Sequence, residues 1–190
     1  MKIIYIRASN AKGYVRIGLT DGEQSVAFTV SKREYSEAGS LSLGDEADAD
    51  TLALLKLADE RYRAKAKALR VLSYADNSEG MLLRKLRLSG ISRAVADEVI
   101  CEMVSLGYIN SRRQLEQLVK AEVNKKNTGP KKLIPKLVSK GYNKSEIREV
   151  IDNLIIRGEI DFDAARERLL QGVPEDEVGK ILYKNGYAIC

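Results

Sequence analysis

Apolar and polar positions alternate at the start of the chain. Ile3 and Tyr5, then Val15, Ile17 and Leu19, recur at the two-residue spacing of one sheet face and predict strands over 2–7 and 14–19. Asp21-Gly22, a pair that tolerates positive φ, predicts the turn into a third strand over 24–30, with Val26, Phe28 and Val30 on one side. Ser31 is placed to cap a short helix running to Glu37, which Gly39 closes. Three short strands leave an apolar face that must be covered, because isolated hairpins are marginal in water. From Asp50 to Ala75 there is no Gly or Pro, and Leu55, Ala58, Tyr62, Leu69 and Leu72 predict the stripe of a long covering helix. Its opposite side carries Lys56, Asp59, Arg63, Lys67 and Arg70.

Beyond this helix the pattern repeats. A shift of 51 residues superimposes Leu86 on Leu137, Gly90 on Gly141, Val99 on Val150, Ile100 on Ile151, Met103 on Leu154, Gly107 on Gly158 and Ile109 on Ile160. Between the two glycines of each copy, Ala96, Val99, Ile100, Met103 and Val104, or Ile147, Val150, Ile151, Leu154 and Ile155, form one helix face. A shorter helix precedes each central one (Leu82, Leu83, Leu86; Leu133, Ile134, Leu137), and another follows (Leu115, Leu118, Val119; Arg166, Leu169, Leu170). Ser92 and Asn143 can cap the central helices, and Thr128 can cap the helix that Pro130 opens. Pro135 would fall inside that helix and bend it. Gly172 to Gly186 resembles the central helix again and predicts a third copy truncated at Cys190. The predicted fold is mostly α: tandem three-helix repeats in an elongated curved array, preceded by a small three-stranded β meander with a short helix. The divisions expected are a head (1–47), a connecting helix (48–76), repeat one (77–124), repeat two (125–171) and the truncated repeat three (172–190).

Charge changes this picture more than composition does. The net charge is +5. Residues 1–60 hold 7 basic and 10 acidic side chains, residues 61–145 hold 19 and 7, and residues 146–190 hold 6 and 10. The positive middle predicts an acidic partner, protein or nucleic acid, within reach of about one Debye length, ~8–10 Å. There is no histidine, which removes the commonest general base and zinc ligand and every Ser-His or Cys-His pair. No glycine loop carries the Lys-Ser/Thr of a phosphate cradle. Carboxylates such as Asp161 and Asp163, or Glu175, Asp176 and Glu177, stand at helix starts, where they favour the macrodipole. Cys101 is expected in the core of an apolar helix, and Cys101 and Cys190 form no metal or redox motif. The chain reads as a non-enzyme with no cofactor, metal or small-molecule substrate. It is also expected to be monomeric, off the membrane and cytoplasmic.

The basic side chains best placed for a partner are Arg112 and Arg113 at the start of the third helix, Lys125 and Lys126 before the linker, and Lys131, Lys132, Lys136 and Lys140 beyond it. Lys132, Lys136 and Lys140 stand four apart and predict a positive ridge. Arg112 and Arg113 also suit a DNA recognition helix, so a transcriptional or architectural DNA-binding protein is the alternative. Against it, the counterpart helix opens Phe162-Asp163-Ala164-Ala165, whose carboxylate repels phosphate. A scaffold for some other acidic protein is a third reading.

Ala68-Leu69-Arg70-Val71-Leu72-Ser73, Leu82 to Lys85-Leu86 with Gly90, and Val99-Ile100 with Leu106-Gly107-Tyr108-Ile109 together resemble the RecX family of regulators of the RecA recombinase. Gly129-Pro130-Lys131-Lys132, Lys136-Leu137, Lys140-Gly141-Tyr142 and the Gly158 turn extend the resemblance through the second copy. A strand-rich head ahead of a long helix is similar to the extended members of that family. The resemblance implies a regulator that binds RecA as its filament on single-stranded DNA, restrains its ATPase, strand-exchange and co-protease activities, and contacts DNA weakly at most. It acts in recombination, repair and the SOS response.

Overall fold

The computed structural model describes residues 1–39 and 41–188, so Cys190 lies outside the described residues. Three strands, β1 (Lys2–Ala8), β2 (Tyr14–Thr20) and β3 (Ser25–Ser31), lead into helices α1 (Lys32–Glu37) and α2 (Ala49–Tyr74). There follow α3 (Glu79–Leu88), α4 (Arg93–Ser105), α5 (Ser111–Lys120), α6 (Pro130–Ser139), α7 (Lys144–Ile156), α8 (Phe162–Leu170) and α9 (Glu175–Asn185). The mostly helical class with a three-stranded antiparallel head is as the residue pattern predicts. The chain forms two compact units, one of residues 1–71 with 86–101 and the other of residues 72–85 with 102 onward.

In the first unit the sheet order is β1-β2-β3. Asp21 makes the β2–β3 turn by accepting from the Glu23 and Gln24 amides at 3.0 and 2.8 Å. Ser31 caps α1 in a reciprocal box with Glu34. Strand β1 departs from simple alternation. Its register slips between Ile3 and Tyr5, so Ile3 faces Leu19 and Ile6 faces Ile17. The slip brings both isoleucines to the inner face and turns Tyr5 outward, because a one-residue shift exchanges faces. Tyr5 then lies over Gly18, where any Cβ would strike its ring, and the Arg7 guanidinium sits 5.0 Å above it.

The inner face buries Ile3, Ile17, Leu19, Phe28 and Val30 with Ala47, Leu55 and Ala58. Thus α2 does cover the sheet. It also protects an edge, since Asp59 accepts from the Thr29 amide at 2.8 Å, while Gly44 and Asp45 pair with Ile3 along β1. The single stripe expected along α2 does not continue. Past Tyr62 the buried positions are Ala64 and Ala68, and Leu69 is 42% exposed. At about 100° per residue, Ala64 points roughly opposite Leu55, so the two halves of the helix bury opposite sides. The second half is tied to residues 92–98 by Arg61–Glu98 at 3.0 Å and by the Ser92 amide donating to Glu60.

In the second unit, Leu115, Val119 and Val123 from α5 and its extension, Leu133 and Leu137 from α6, and Ile147, Val150, Ile151 and Leu154 from α7 share one core. Ile155 stands outside it, as Val104 does on α4, because each helix buries a narrower stripe than its apolar residues span. The helices keep the 51-residue period: α6 and α7 begin and end 51 residues after α3 and α4. Asn143 caps α7 and Asp161 caps α8. Pro130 opens α6 as expected, and Pro135 stays within that helix. Thr128 does not cap; Gly129 holds that position, and the Thr128 hydroxyl turns inward.

Copies meet at glycines. The N-terminus of α3 packs on the turn after α6, with the Ser78 hydroxyl donating to the Lys140 carbonyl at 2.5 Å. A Cβ on Gly141 would lie 2.7 Å from the Met81 amide nitrogen. The N-terminus of α6 packs on the turn after α9 in the same way: the Gly129 amide donates to Asn185 (2.8 Å) and the Lys131 amide to Gly186 (3.1 Å). A Cβ on Gly186 would lie 2.5 Å from the Lys132 nitrogen. Helix α9 is therefore the counterpart of α3 and α6, not of the central helices as the apolar pattern suggested. The mismatch arises because Gly141 and Gly186 are 45 residues apart instead of 51. The missing length lies in the third helix, since α5 runs on through a π-helical turn (Ala121–Lys125) that α8 lacks.

Both joint glycines have positive φ, +85° and +84°, and backbone atoms stand where a side chain would go. Gly141→Ala is expected to cost about 2–4 kcal/mol, left-handed strain plus overpacking. Gly158→Ala, at φ +68° with nothing within 4 Å, should cost only the strain, about 1–2 kcal/mol. Urea unfolding of both variants tests this, and equal losses would show that the joint is not tightly packed.

Candidate partner-binding surface

Helix α5 projects Arg112 and Arg113 because Asn110 caps it, accepting from the Arg113 amide at 3.0 Å, while Leu115 and Val119 hold its other face in the core. Arg112 pairs with Glu149 at 2.9 Å in an exposed bridge. Arg113 is exposed and makes no ion pair among the described residues. At its far end α5 passes into the π-helical turn, which widens the backbone and places Glu122 in the interior.

Glu122 organises the cations around it. Its carboxylate is 5% exposed and takes Lys126 Nζ at 2.8 Å, Lys136 Nζ at 2.7 Å and Thr128 Oγ1 at 3.1 Å. Burial alone would raise its pKa, but the hydrogen bonds from Lys126, Lys136 and Thr128 outweigh it and bring the value from 4.5 down to about 2. Lys126 and Lys136 are thus committed within the molecule, and the ridge of Lys132, Lys136 and Lys140 is interrupted at its centre. Lys132 Nζ bonds the Lys184 carbonyl at the C-terminal end of α9, 3.1 Å away. Lys125, Lys131 and Lys140 are exposed and, with Arg113, make no ion pair among the described residues.

Two concave features adjoin these cations. Lys140 borders a cavity of about 500 Å³ shared with Asn77, Ser78, Gln114 and Tyr142. Lys131 and Lys132 border another, about 620 Å³, with Pro135, Lys184 and the 77% exposed ring of Tyr183. Sequence reasoning did not single out Tyr183, Lys184 or Glu122. The signal for the first two was Asn185-Gly186-Tyr187, which repeats Lys140-Gly141-Tyr142. Cys101 is exposed, not in the core as expected, because α4 buries Val95, Ala96, Val99, Ile100 and Met103 on its other side. Among the described residues no three acidic or cysteine side chains gather to hold a metal ion, and no helix is long and apolar enough to cross a membrane.

A family model described as RecX, first three-helix domain, matches residues 64–103, the second half of α2 with α3 and most of α4. Regulatory protein RecX of Clostridioides difficile (strain 630) is 34% identical over 128 residues, 67% of this chain and 59% of that protein. The chain belongs to the RecX family. The aligned part spans about three fifths of that RecX relative. A crystal structure of regulatory protein RecX covers 98% of the chain and 94% of its own (TM-score 0.68, 22% identity). That of RecX from Lactobacillus salivarius covers 69% and 90% (TM-score 0.57, 21% identity). At those identities the two structures speak for the RecX fold.

Since the folded-state pKa of Glu122 lies below the unfolded value, its stabilisation is complete above about pH 4.5 and is lost as pH falls towards 2. Glu122→Gln should therefore flatten the dependence of stability on pH across that window and cost about 1–3 kcal/mol at pH 7. Urea unfolding between pH 7 and 2.5 checks it, and parallel profiles for the two proteins would refute the assignment.

Proposed function

We propose that this chain is a non-catalytic regulator that binds RecA as its filament on single-stranded DNA and restrains ATP hydrolysis, strand exchange and co-protease activity. Membership of the RecX family, with a relative named as a regulatory protein, is the observation that carries this reading. The surface offered to the filament is Arg112, Arg113, Lys125, Lys126, Lys131, Lys132, Lys136 and Lys140. Within it, Arg113, Lys125, Lys131 and Lys140 reach a partner without breaking an internal bridge, whereas Lys126 and Lys136 act by keeping the surface folded around Glu122. Long-range attraction from the exposed cations speeds encounter with an acidic protein surface or phosphates, and several weak contacts together hold a polymer firmly.

Adding the protein to RecA, single-stranded DNA and ATP should slow hydrolysis. Lys131→Glu with Lys140→Glu should raise the concentration for half-maximal effect roughly tenfold, from up to about 1 kcal/mol per charge. Lys12→Glu, in the head, should leave it unchanged. Unaltered hydrolysis at several-fold excess over filament sites would defeat the proposal. Tight, salt-dependent binding to one duplex sequence would favour the DNA-binding alternative.

A further inference from the structure

The two joints of the second unit are built alike but furnished differently. At the first, where the N-terminus of α3 meets the Gly141 turn, the cavity of about 500 Å³ is bordered by Asp76, Gln114, Gln117 and Tyr142, with Met81 and Leu118 as apolar wall. At the second, the 51-residue counterparts of Asp76, Gln114 and Gln117 are Asn127, Ala165 and Arg168, and Tyr187 stands where Tyr142 does. There the chain supplies its own cation. Arg168 Nε donates to Asn127 Oδ1 at 3.3 Å, and its charge partly offsets the rise that burial gives the Tyr187 pKa. The first joint has acceptors and no arginine. Asp76 makes no hydrogen bond or ion pair among the described residues, and Gln114 Oε1 is buried without a hydrogen-bond partner. The Tyr142 pKa is raised by burial and then by the charges of Glu146 and Asp76, so negative charge reaches that end of the cavity.

We propose that this cavity docks an arginine side chain from a partner polypeptide, the guanidinium received by Asp76 and the Gln114 carbonyl and the methylene stem lying along Met81 and Leu118. A guanidinium brings a planar fork of donors to acceptors that no described residue satisfies, and its stem covers apolar wall as it enters. Rotation of the Gln114 amide about its broad terminal torsion turns Oε1 from the wall into the space. An arginine of the chain itself, such as Arg168, needs no attraction to arrive, whereas one from outside does. Asp76 carries a carboxylate where the second joint has the Asn127 amide, and so supplies it. Other polar groups at the cavity are already used: Asn77 donates to the Ala75 carbonyl and holds Lys85 Nζ at 2.6 Å, and the Ser78 hydroxyl donates to the Lys140 carbonyl. Lys140 is the one cation among the lining residues, and its exposed side chain opposes the guanidinium instead of assisting it. The site is independent of the filament reading, in which Lys140 attracts an acidic partner.

The test titrates the full 15N-labelled chain with N-acetyl-arginine amide and follows the side-chain amide signals of Gln114 and Gln117. Saturable shifts are expected at millimolar probe, as suits a single side chain. Asp76→Asn should weaken binding roughly fivefold by removing one partly screened charge, and Gln114→Leu roughly fivefold to tenfold by removing the acceptor. Gln117→Arg, which copies the second joint, should abolish binding by filling the cavity from within. Lys140→Glu should tighten it about threefold. The filament reading expects that same change to weaken the action on RecA, so the two readings fail separately. Glu23→Gln, in the β2–β3 turn, should change nothing, and urea unfolding curves establish that the variants remain folded. Absence of saturable shifts, or a titration indifferent to Asp76→Asn and Gln114→Leu, overturns the proposal. So does equal binding of N-acetyl-lysine amide or N-acetyl-leucine amide, which would make the cavity a general cationic or apolar site. Tighter binding of free L-arginine, the mark of a metabolite site, overturns it too, as do shifts of the same signals on raising the protein concentration alone, the mark of a second copy as occupant.

Discussion

Backbone meeting backbone at a glycine is the contact on which the second unit depends. A three-helix element of this size has a small core, and its neighbours must add what that core lacks. Here the addition is steric and polar at once. A left-handed turn ends one helix, the first turn of another helix rests on it, and the amides and hydroxyl that a helix start leaves unpaired find the carbonyls that a helix end leaves unpaired. Because the meeting atoms belong to the main chain, the geometry is set by the fold and tolerates wide variation in the surrounding side chains.

Glu122 solves a different problem. The π-helical turn that lengthens α5 carries a carboxylate into the interior beside a lysine-rich helix. Two ammonium groups and a hydroxyl satisfy it, so a region of high positive charge density contains its own counter-ion. The cations outside this cluster, Arg113, Lys125, Lys131 and Lys140, stay exposed while Lys126 and Lys136 are drawn inward by the carboxylate.

Much of this was legible in the residue pattern. The strands, the Asp21-Gly22 turn, the Ser31 cap and the 51-residue period all follow from local rules that the fold obeys. Four features were hidden, because they depend on distant contacts or on a change of repeat length. The slip at Ile3–Tyr5 is invisible to a two-residue rule, and only pairing with Gly18 and Ile17 reveals it. On α2 the stripe changes side because Ala64 and Ala68 are chosen for close approach, and alanines weigh little beside leucines in an apolar pattern. The phase of α9 was obscured by the six residues that α8 lacks relative to α5, although the Gly-Tyr pair marked it. Lys126 and Lys136 resembled surface lysines since nothing local announces that Glu122 points inward.

The confinement of that length difference to one helix bears on how such chains can diverge. Residues added to or removed from the end of α8 leave untouched the stretch from α9 to Gly186, where helix and turn must stay in step. A length change there alters the spacing between successive modules like links of unequal length on a common clasp, so within this one chain the stride shortens from 51 to 45 residues while the same fastening is kept.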